Sequence, residues 1–261
     1  MSEESLDKSH LDRKYFLVDS CMRFNAVIFD CDGVLVDSET LENQVFVECV
    51  ADLGLELTVA EAVAMYKGRK LAECIASVEE RLGRCVPDSF VPDFRVRSAK
   101  VFQDHLRPIP GVEAVIQTLR ALSVPFCVAS SGPREKIEAN LGITGLLTYF
   151  QESIVSAYEV GSWKPDPGLF LHAARTLGVA PETCAVIEDS LPGVQAGVAA
   201  GMTVFGYAPD TEAETLASAG ARVFRDMNQL PAFTPRKLIF PPFPNHSMLR
   251  RTTDCWELSK K

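Results

Sequence analysis

The 261-residue chain lacks any apolar run near the roughly 20 residues that a membrane-spanning helix needs. Its N-terminal stretch MSEESLDKSHLDRKYF is charged and contains no apolar signal-peptide core. Positive charge is also scarce, because 26 Lys and Arg residues stand against 35 Asp and Glu residues, for a net charge of −9. A membrane protein is therefore not predicted. A general binder of nucleic acid or anionic membranes is not predicted either, since such binding requires excess positive charge.

Closely spaced cysteine pairs are absent as well. None of the eight cysteines has the C-x-x-C spacing typical of zinc and redox sites. Most of them lie inside apolar runs, which predicts reduced, mainly buried side chains in a cytoplasmic protein. With 47% apolar residues, a chain of this length can bury a large core and needs neither metal nor disulfide to fold.

Short apolar runs alternate with helical patterns through most of the chain. Strands are predicted at 25–29, 125–129, 153–157, 184–187 and 202–206. Helices are predicted at 112–122, 133–141, 167–177 and 192–200, followed by a weak helix and strand over 211–224. Apolar strands that alternate with helices are typical of a parallel sheet covered on both faces. We therefore predict an α/β fold with a Rossmann-like parallel sheet.

A helical block interrupts this pattern after the first strand. Apolar residues recur at helical spacing in LENQVFVECVADLG and LAECIASVEERLG, which end at Gly54 and Gly83, as helix C-termini favour. The block is predicted to be an inserted α-helical cap. The predicted division of the chain is a flexible N-terminal extension (1–23), a core domain (24–39 and 108–232), a helical cap domain (40–107) and a poorly ordered tail (233–261).

Two acidic residues follow the first strand directly. Asp30 and Asp32 are separated by one residue, and in extended backbone this spacing places both carboxylates on the same side of the chain. Close carboxylates repel each other, and a divalent cation with oxygen ligands is the simplest compensation. A turn with two solvated Asp side chains is the alternative for this motif taken alone.

Polar residues also follow later strands. The run Ser130–Gly132 stands between a strand and a helix. In this position it either binds an oxyanion or only caps the N-terminus of the helix. Glu188 and Asp189 form a second acidic pair, and Lys164 lies in a loop where a lysine is usually solvated. Because the carboxyl ends of parallel strands meet at one edge of the sheet, the sequence predicts a Mg²⁺ and phosphate site there.

Together, DCDGVLVDSE, VASSG, WKPDPGLF and VIEDSLPGVQAG resemble the four motifs of the haloacid dehalogenase-like hydrolases, in order and at compatible spacing. The inserted helical block is similar to the small α-helical cap of that family. The resemblance covers about residues 24–230 and is strongest to the β-phosphoglucomutase-like branch of sugar-phosphate phosphatases. Within that branch, YKGRKLAECI and WKPDPGLFLHAA look most like phosphatases of 6-phosphogluconate.

The resemblance implies a role for each site residue. Asp30 would be the nucleophile that forms an aspartyl-phosphate, and Asp32 the general acid and base. The implied Mg²⁺ ligands are the carboxylates of Asp30 and Asp189, the main-chain carbonyl of Asp32, and Glu188 directly or through water. The implied phosphate ligands are Ser130, the backbone N–H groups of Ser131 and Gly132, and Lys164.

The resemblance also indicates which of the family's reactions this sequence favours. Haloacid dehalogenases and phosphonoacetaldehyde hydrolases lack an acid at the position of Asp32, so a phosphatase of a small phosphorylated sugar or sugar acid is favoured. A sugar-phosphate mutase stays open, although mutases carry a His where this sequence has Glu42 or a neighbour. A catalytically silent binding protein would be expected to lack Asp30, Asp32 or Lys164, and all three are present. A monomer or weak homodimer is expected.

The predicted cap carries a second group of candidates. Lys67, Arg69 and Lys70 surround Gly68 just before the helical segment LAECIASVEERLG. Together with Glu39, they are predicted to contact the substrate at the end remote from its phosphate when the cap closes, for example at the carboxylate of 6-phosphogluconate. Solvated surface charge is the alternative for the cations.

Overall fold

The computed structural model describes residues 24–66, 69–209 and 213–230. The predicted N-terminal extension and C-terminal tail lie outside the described residues, as do Lys67 and Gly68. Within the described part, no helix combines the length and apolar character that a bilayer crossing requires.

A parallel sheet of six strands, in the order β3-β2-β1-β4-β5-β6, forms the centre of the molecule. The strands are β1 (Ala26–Phe29), β2 (Phe126–Ser130), β3 (Ile154–Ser156), β4 (Cys184–Glu188), β5 (Thr203–Tyr207) and β6 (Arg222–Phe224). The helices are α1 (Glu39–Ala51), α2 (Val59–Tyr66), α3 (Leu71–Leu82), α4 (Phe90–His105), α5 (Val112–Ala121), α6 (Arg134–Ile143), α7 (Leu147–Phe150), α8 (Ala157–Val160), α9 (Gly168–Thr176), α10 (Leu191–Ala199) and α11 (Ala213–Ser218).

Both faces of the sheet are covered, because the residues of each central strand alternate between two cores. In β1, Val27 and Phe29 pack into one core with α5, α6 and α7. Ala26 and Ile28 pack into the other core with α9, α10 and α11. The predicted α/β fold with a parallel sheet is confirmed.

Helices α1–α4 are inserted between β1 and α5 and enclose an apolar cluster of their own. At its centre, Phe46 makes edge-to-face contacts with Tyr66, Phe90 and Phe94, with ring centroids 5.3 to 6.0 Å apart. The two chain segments that join this block to the sheet lie side by side, since the Asp37 N–H donates to the Arg107 carbonyl at 2.9 Å. We keep the name cap for α1–α4.

Several local predictions need correction. Helix α1 ends at Ala51, and Gly54 (φ +90°) lies in the turn beyond it, whereas Gly83 (φ +67°) does cap α3. The one-turn helices α7 and α8 were not predicted, because four residues are too few to show a helical period. The six described cysteines are free, and five of them are buried, as predicted for most of the cysteines, whereas Cys85 is exposed.

Candidate active site

The site lies where the chain order across the sheet reverses. From β1 the chain continues to β2 and β3 on one side, and β4, β5 and β6 lie on the other. Such a reversal leaves a crevice at the carboxyl ends of the strands. Asp30 follows β1 and its N–H donates to the Ile187 carbonyl at 2.9 Å, while Glu188 and Ser130 end the two flanking strands. Sheet register therefore brings residues from three distant parts of the sequence to one edge.

Lys164 links two of these strand ends. Its Nζ donates to Asp30 Oδ1 at 2.6 Å and to Glu188 Oε1 at 2.5 Å, and lies 5.1 Å from the ring centroid of Phe170. Only 5% of the side chain is exposed. Burial alone would lower the pKa of Lys164, but the two carboxylates outweigh burial and raise the pKa. The interpretation of Lys164 as a solvated loop lysine is therefore wrong.

Three buried carboxylates form a group able to hold a metal ion. One oxygen each of Asp30, Glu188 and Asp189 lies within 4.8 Å of the others. Burial, reinforced by the nearby carboxylates of Glu188 and Asp32, raises the pKa of Asp30 to about 7 against the pull of Lys164. Three carboxylates beside the single ammonium group of Lys164 leave an excess of negative charge at the site. Carboxylate oxygens are also the type of ligand that Mg²⁺ prefers.

Glycines make room for two of these carboxylates. A Cβ on Gly33, whose φ is +81°, would collide with the Asp189 carboxylate, and a Cβ on Gly193 would collide with the carboxylate of Glu188. Glu188 is also held by Ser190, whose N–H and hydroxyl donate to Oε2 at 2.6 and 3.0 Å. The orientation of Glu188 is thus fixed by the start of α10.

Asp32 lies in a separate hydrogen-bond network. Its Oδ1 accepts from the Ser38 hydroxyl at 2.6 Å and from Asn140 Nδ2 at 3.3 Å, and its Oδ2 accepts from Lys136 Nζ at 3.2 Å. Burial would raise the pKa of Asp32, but Lys136 and the Ser38 hydrogen bond outweigh burial and lower the pKa. Sequence reasoning missed these three partners. The sequence does contain a pattern that could have pointed to two of them. Lys136 and Asn140 are polar residues four apart, next to the buried Ile137 and Leu141, so they share the edge of a buried helix face.

The loop after β2 lies beside Asp30 because β2 pairs with β1. Ser130 is buried, and its Oγ accepts from the Gly132 N–H at 3.1 Å. The Gly132 carbonyl accepts from the Ser156 hydroxyl at 2.7 Å, which ties the loop to β3. Ser131 is half-buried between them. These hydrogen bonds hold the run Ser130–Gly132 next to the carboxylates.

The predicted cap candidates are placed differently from one another. Lys70 Nζ lies 5.3 Å from the ring centroid of Trp163, the residue before Lys164. The Lys70 side chain therefore reaches from the cap to the sheet and the helices that cover it, which we call the sheet domain. Arg69 instead bonds within the cap, to Glu73 Oε2 and to the Met65 carbonyl, both at 3.4 Å. Glu39 is half-buried as the first residue of α1.

Comparison with known proteins agrees with this arrangement. A family model for haloacid dehalogenase-like hydrolase matches residues 24–201. The 6-phosphogluconate phosphatase of Escherichia coli K12 is 35% identical over 210 residues, covering 80% of this chain and 94% of that protein. Hexitol phosphatase A of the same strain is 30% identical over 185 residues, covering 70% and 82%.

A solved structure shows the same likeness in three dimensions. The HAD family hydrolase from Deinococcus radiodurans R1, crystallised with bound phosphate and sodium, is similar with a TM-score of 0.67 and 33% identity, covering 80% of this chain and 94% of that chain. Family model, relatives and fold agree with the four motifs at the strand ends. This chain belongs to the haloacid dehalogenase-like hydrolase family.

Proposed function

We propose that the protein is a Mg²⁺-dependent phosphatase that hydrolyses a small phosphorylated sugar or sugar acid through an aspartyl-phosphate intermediate. The observation that carries the proposal is the buried Asp30 carboxylate at the end of β1, bonded to Lys164 and grouped with Glu188 and Asp189. The similarity to phosphatases of 6-phosphogluconate and of hexitol phosphates supports the substrate class.

In the first step, Asp30 acts as the nucleophile. A carboxylate oxygen of Asp30 bonds to phosphorus as the bond from phosphorus to the sugar oxygen breaks. Asp32 gives the departing oxygen a proton that it takes up when the ester binds, because the negative charge of the phosphate disfavours a second anion beside it. Lys164 orients the Asp30 carboxylate through the 2.6 Å hydrogen bond and brings positive charge to the phosphoryl oxygens.

In the second step, water hydrolyses the aspartyl-phosphate. The Asp32 carboxylate takes a proton from the water, whose oxygen attacks phosphorus, and the bond between Asp30 and phosphorus breaks to release inorganic phosphate. Asp32 is thereby protonated again, so both residues return to the states from which the first step began. Ser130 and the N–H groups of Ser131 and Gly132 bind the phosphoryl oxygens throughout.

The metal proposal follows from the charge of the site. Asp30, Asp189 and the main-chain carbonyl of Asp32 would hold Mg²⁺, with Glu188 as a direct or water-bridged ligand. When bound, Mg²⁺ neutralises charge on the transferred phosphoryl group and on the clustered carboxylates. Without a divalent cation, an anionic phosphate ester would be repelled by these carboxylates.

A phosphate-release screen over sugar phosphates, with and without Mg²⁺, tests the proposal. We expect Mg²⁺-dependent release from at least one sugar or sugar-acid phosphate, and we expect Asp30→Asn to abolish it, because a carboxamide is nearly isosteric but a far poorer nucleophile. Asp88→Asn, in an exposed turn of the cap, is the matched control. Full activity of the Asp30 variant would exclude the mechanism, and interconversion of hexose phosphates without phosphate release would indicate a mutase.

A further inference from the structure

Lys136 stands between a carboxylate of the cap and a carboxylate of the sheet domain. Its Nζ donates to Glu42 Oε1 and Oε2 at 2.9 and 3.0 Å and to Asp32 Oδ2 at 3.2 Å. The side chains are 27 to 30% exposed, so water has only partial access to the three charges. Neither the motifs nor the proposed mechanism gives Lys136 or Glu42 a role.

Two helices contribute these groups with the same spacing. Ser38 and Glu42 stand four residues apart at the start of α1, where Ser38 donates to Asp32 and Glu42 accepts from Lys136. Lys136 and Asn140, four residues apart in α6, approach Asp32 from the sheet domain. Residues four apart share one face of a helix, so each helix presents a pair of polar groups. Three of these groups, Ser38, Lys136 and Asn140, donate to the two carboxylate oxygens of Asp32.

We propose that Lys136 is a positioning residue that holds Asp32 in place for proton transfer to the leaving sugar oxygen, and that Glu42 holds Lys136. The inference rests on the proposed function, in which Asp32 is the general acid. A carboxyl group transfers a proton only within hydrogen-bond reach of the accepting oxygen. Lys136 donates to Oδ2 of Asp32 and leaves Oδ1 to carry the transferred proton, while the cap residue Glu42 holds Lys136. The arrangement is therefore complete only with α1 against α6.

The leaving group distinguishes this role from a structural one. A sugar alkoxide is a poor leaving group and needs the proton of Asp32 as the bond to phosphorus breaks. A p-nitrophenolate ion is stable and departs without that proton. The parameter kcat/KM covers the steps from free enzyme and substrate to the first irreversible step, which is transfer of the phosphoryl group to Asp30. It therefore reports on the step in which Asp32 acts as an acid and not on the later hydrolysis of the aspartyl-phosphate. Misplacing Asp32 should therefore lower kcat/KM for the hydrolysis of sugar phosphates and leave that of p-nitrophenyl phosphate nearly unchanged.

The experiment measures kcat/KM on a sugar phosphate and on p-nitrophenyl phosphate for wild type, Lys136→Met, Glu42→Gln and the double variant. We expect Lys136→Met to lower kcat/KM at least about tenfold on the sugar phosphate but less than about threefold on the aryl ester, since general acid catalysis contributes factors of this order or more. Lys100→Met, an exposed lysine of α4, is the matched control and should change neither value.

Glu42→Gln tests the second half of the inference. Alone, it should give a smaller loss with the same preference for the sugar phosphate. In the Lys136→Met background it should give no further loss, because Glu42 acts through Lys136. Thermal unfolding is measured for every variant, and Glu42→Gln, which preserves side-chain size, carries the test of selectivity if Lys136→Met does not fold.

The outcomes separate the inference from the function on which it rests. Equal losses on both esters, no loss, or a gain would overturn the positioning role while leaving the phosphatase in place. Additive losses in the double variant would overturn the link from Glu42 to Lys136. Failure of wild type to release phosphate from either ester would overturn the proposed function and, with it, the role of Lys136.

Discussion

At the scale of single residues, the site depends on charges held out of water by their neighbours. Lys164 is buried between Asp30 and Glu188, and Glu188 is held in turn by Ser190. A buried ion pair is costly to break, because removing one partner leaves the other charge without compensation. Lys164 therefore contributes to the shape of the site as well as to its charge.

Asp189 offers a residue-scale test of the metal site. Asp189→Asn keeps the shape that fits against Gly33 but removes one of the clustered negative charges. Without Mg²⁺ we expect the variant to unfold at the same temperature as wild type or higher, because carboxylate repulsion falls. We also expect the stabilisation by Mg²⁺ to drop by about 1.4 kcal/mol or more, which corresponds to at least tenfold weaker binding.

Thermal unfolding over a range of Mg²⁺ concentrations measures both effects, and turnover at excess Mg²⁺ should partly recover. Glu182→Gln, at the opposite end of β4, is the control with the same chemical change. An unchanged Mg²⁺ response in the Asp189 variant would remove this residue from the set of ligands.

At the scale of elements, the cap is built as a small helical unit with an aromatic centre. The aromatic contacts of Phe46 join α1 to α2 and α4. The same helix α1 carries Glu42 on its first turns, so the packing of Phe46 sets the position of the Glu42 carboxylate. The stability of the cap and the geometry near Asp32 are therefore linked through one helix.

Phe46→Ala tests that packing. The side chain is 4% exposed, and its loss should lower the free energy of unfolding by about 3–5 kcal/mol, the usual cost of removing a buried phenyl ring. Urea denaturation followed by circular dichroism measures the change. Val96→Ala, at a position 71% exposed on α4, should cost less than about 0.5 kcal/mol. A loss below about 1 kcal/mol at Phe46 would mean that the cap does not depend on this cluster.

At the scale of the whole molecule, two contacts of charged side chains join the cap to the sheet domain. Lys136 bonds to Glu42 in one of them, and Lys70 lies over the ring of Trp163 in the other. A cation over an aromatic face contributes only about 0.5–1 kcal/mol at exposed sites, so exchanging this contact for one to a substrate carboxylate costs Lys70 little.

We expect Lys70→Ala to lower kcat/KM for 6-phosphogluconate about tenfold or more relative to p-nitrophenyl phosphate, because only the sugar acid loses a charge-assisted contact. Arg69→Ala should have a smaller selective effect, since Arg69 is already bonded to Glu73 and to the Met65 carbonyl. Steady-state kinetics on both substrates measure the ratio. Equal losses on the two substrates, or none, would show that Lys70 does not contact the carboxylate.

The sequence by itself determined the fold class and the acidic groups of the candidate site. Apolar strands alternating with helices predict a covered parallel sheet because burial on both faces requires apolar residues throughout a strand. Asp30, Glu188 and Ser130 were predictable because they stand at strand ends, and parallel strands bring their carboxyl ends together. Each of these inferences depends on local pattern and on a general rule of sheet geometry.

Only the tertiary structure decided which charges meet. The burial of Lys164, the partners of Asp32 and the contact of Lys70 with Trp163 join residues up to 134 positions apart. Lysine has the same side chain whether it is solvated or buried, so its neighbours, not its sequence context, distinguish Lys164 and Lys136 from surface charges. The partnership of Lys136 with Glu42 depends on how α1 packs against α6, which is set by the summed packing of cap and sheet domain and by no local pattern.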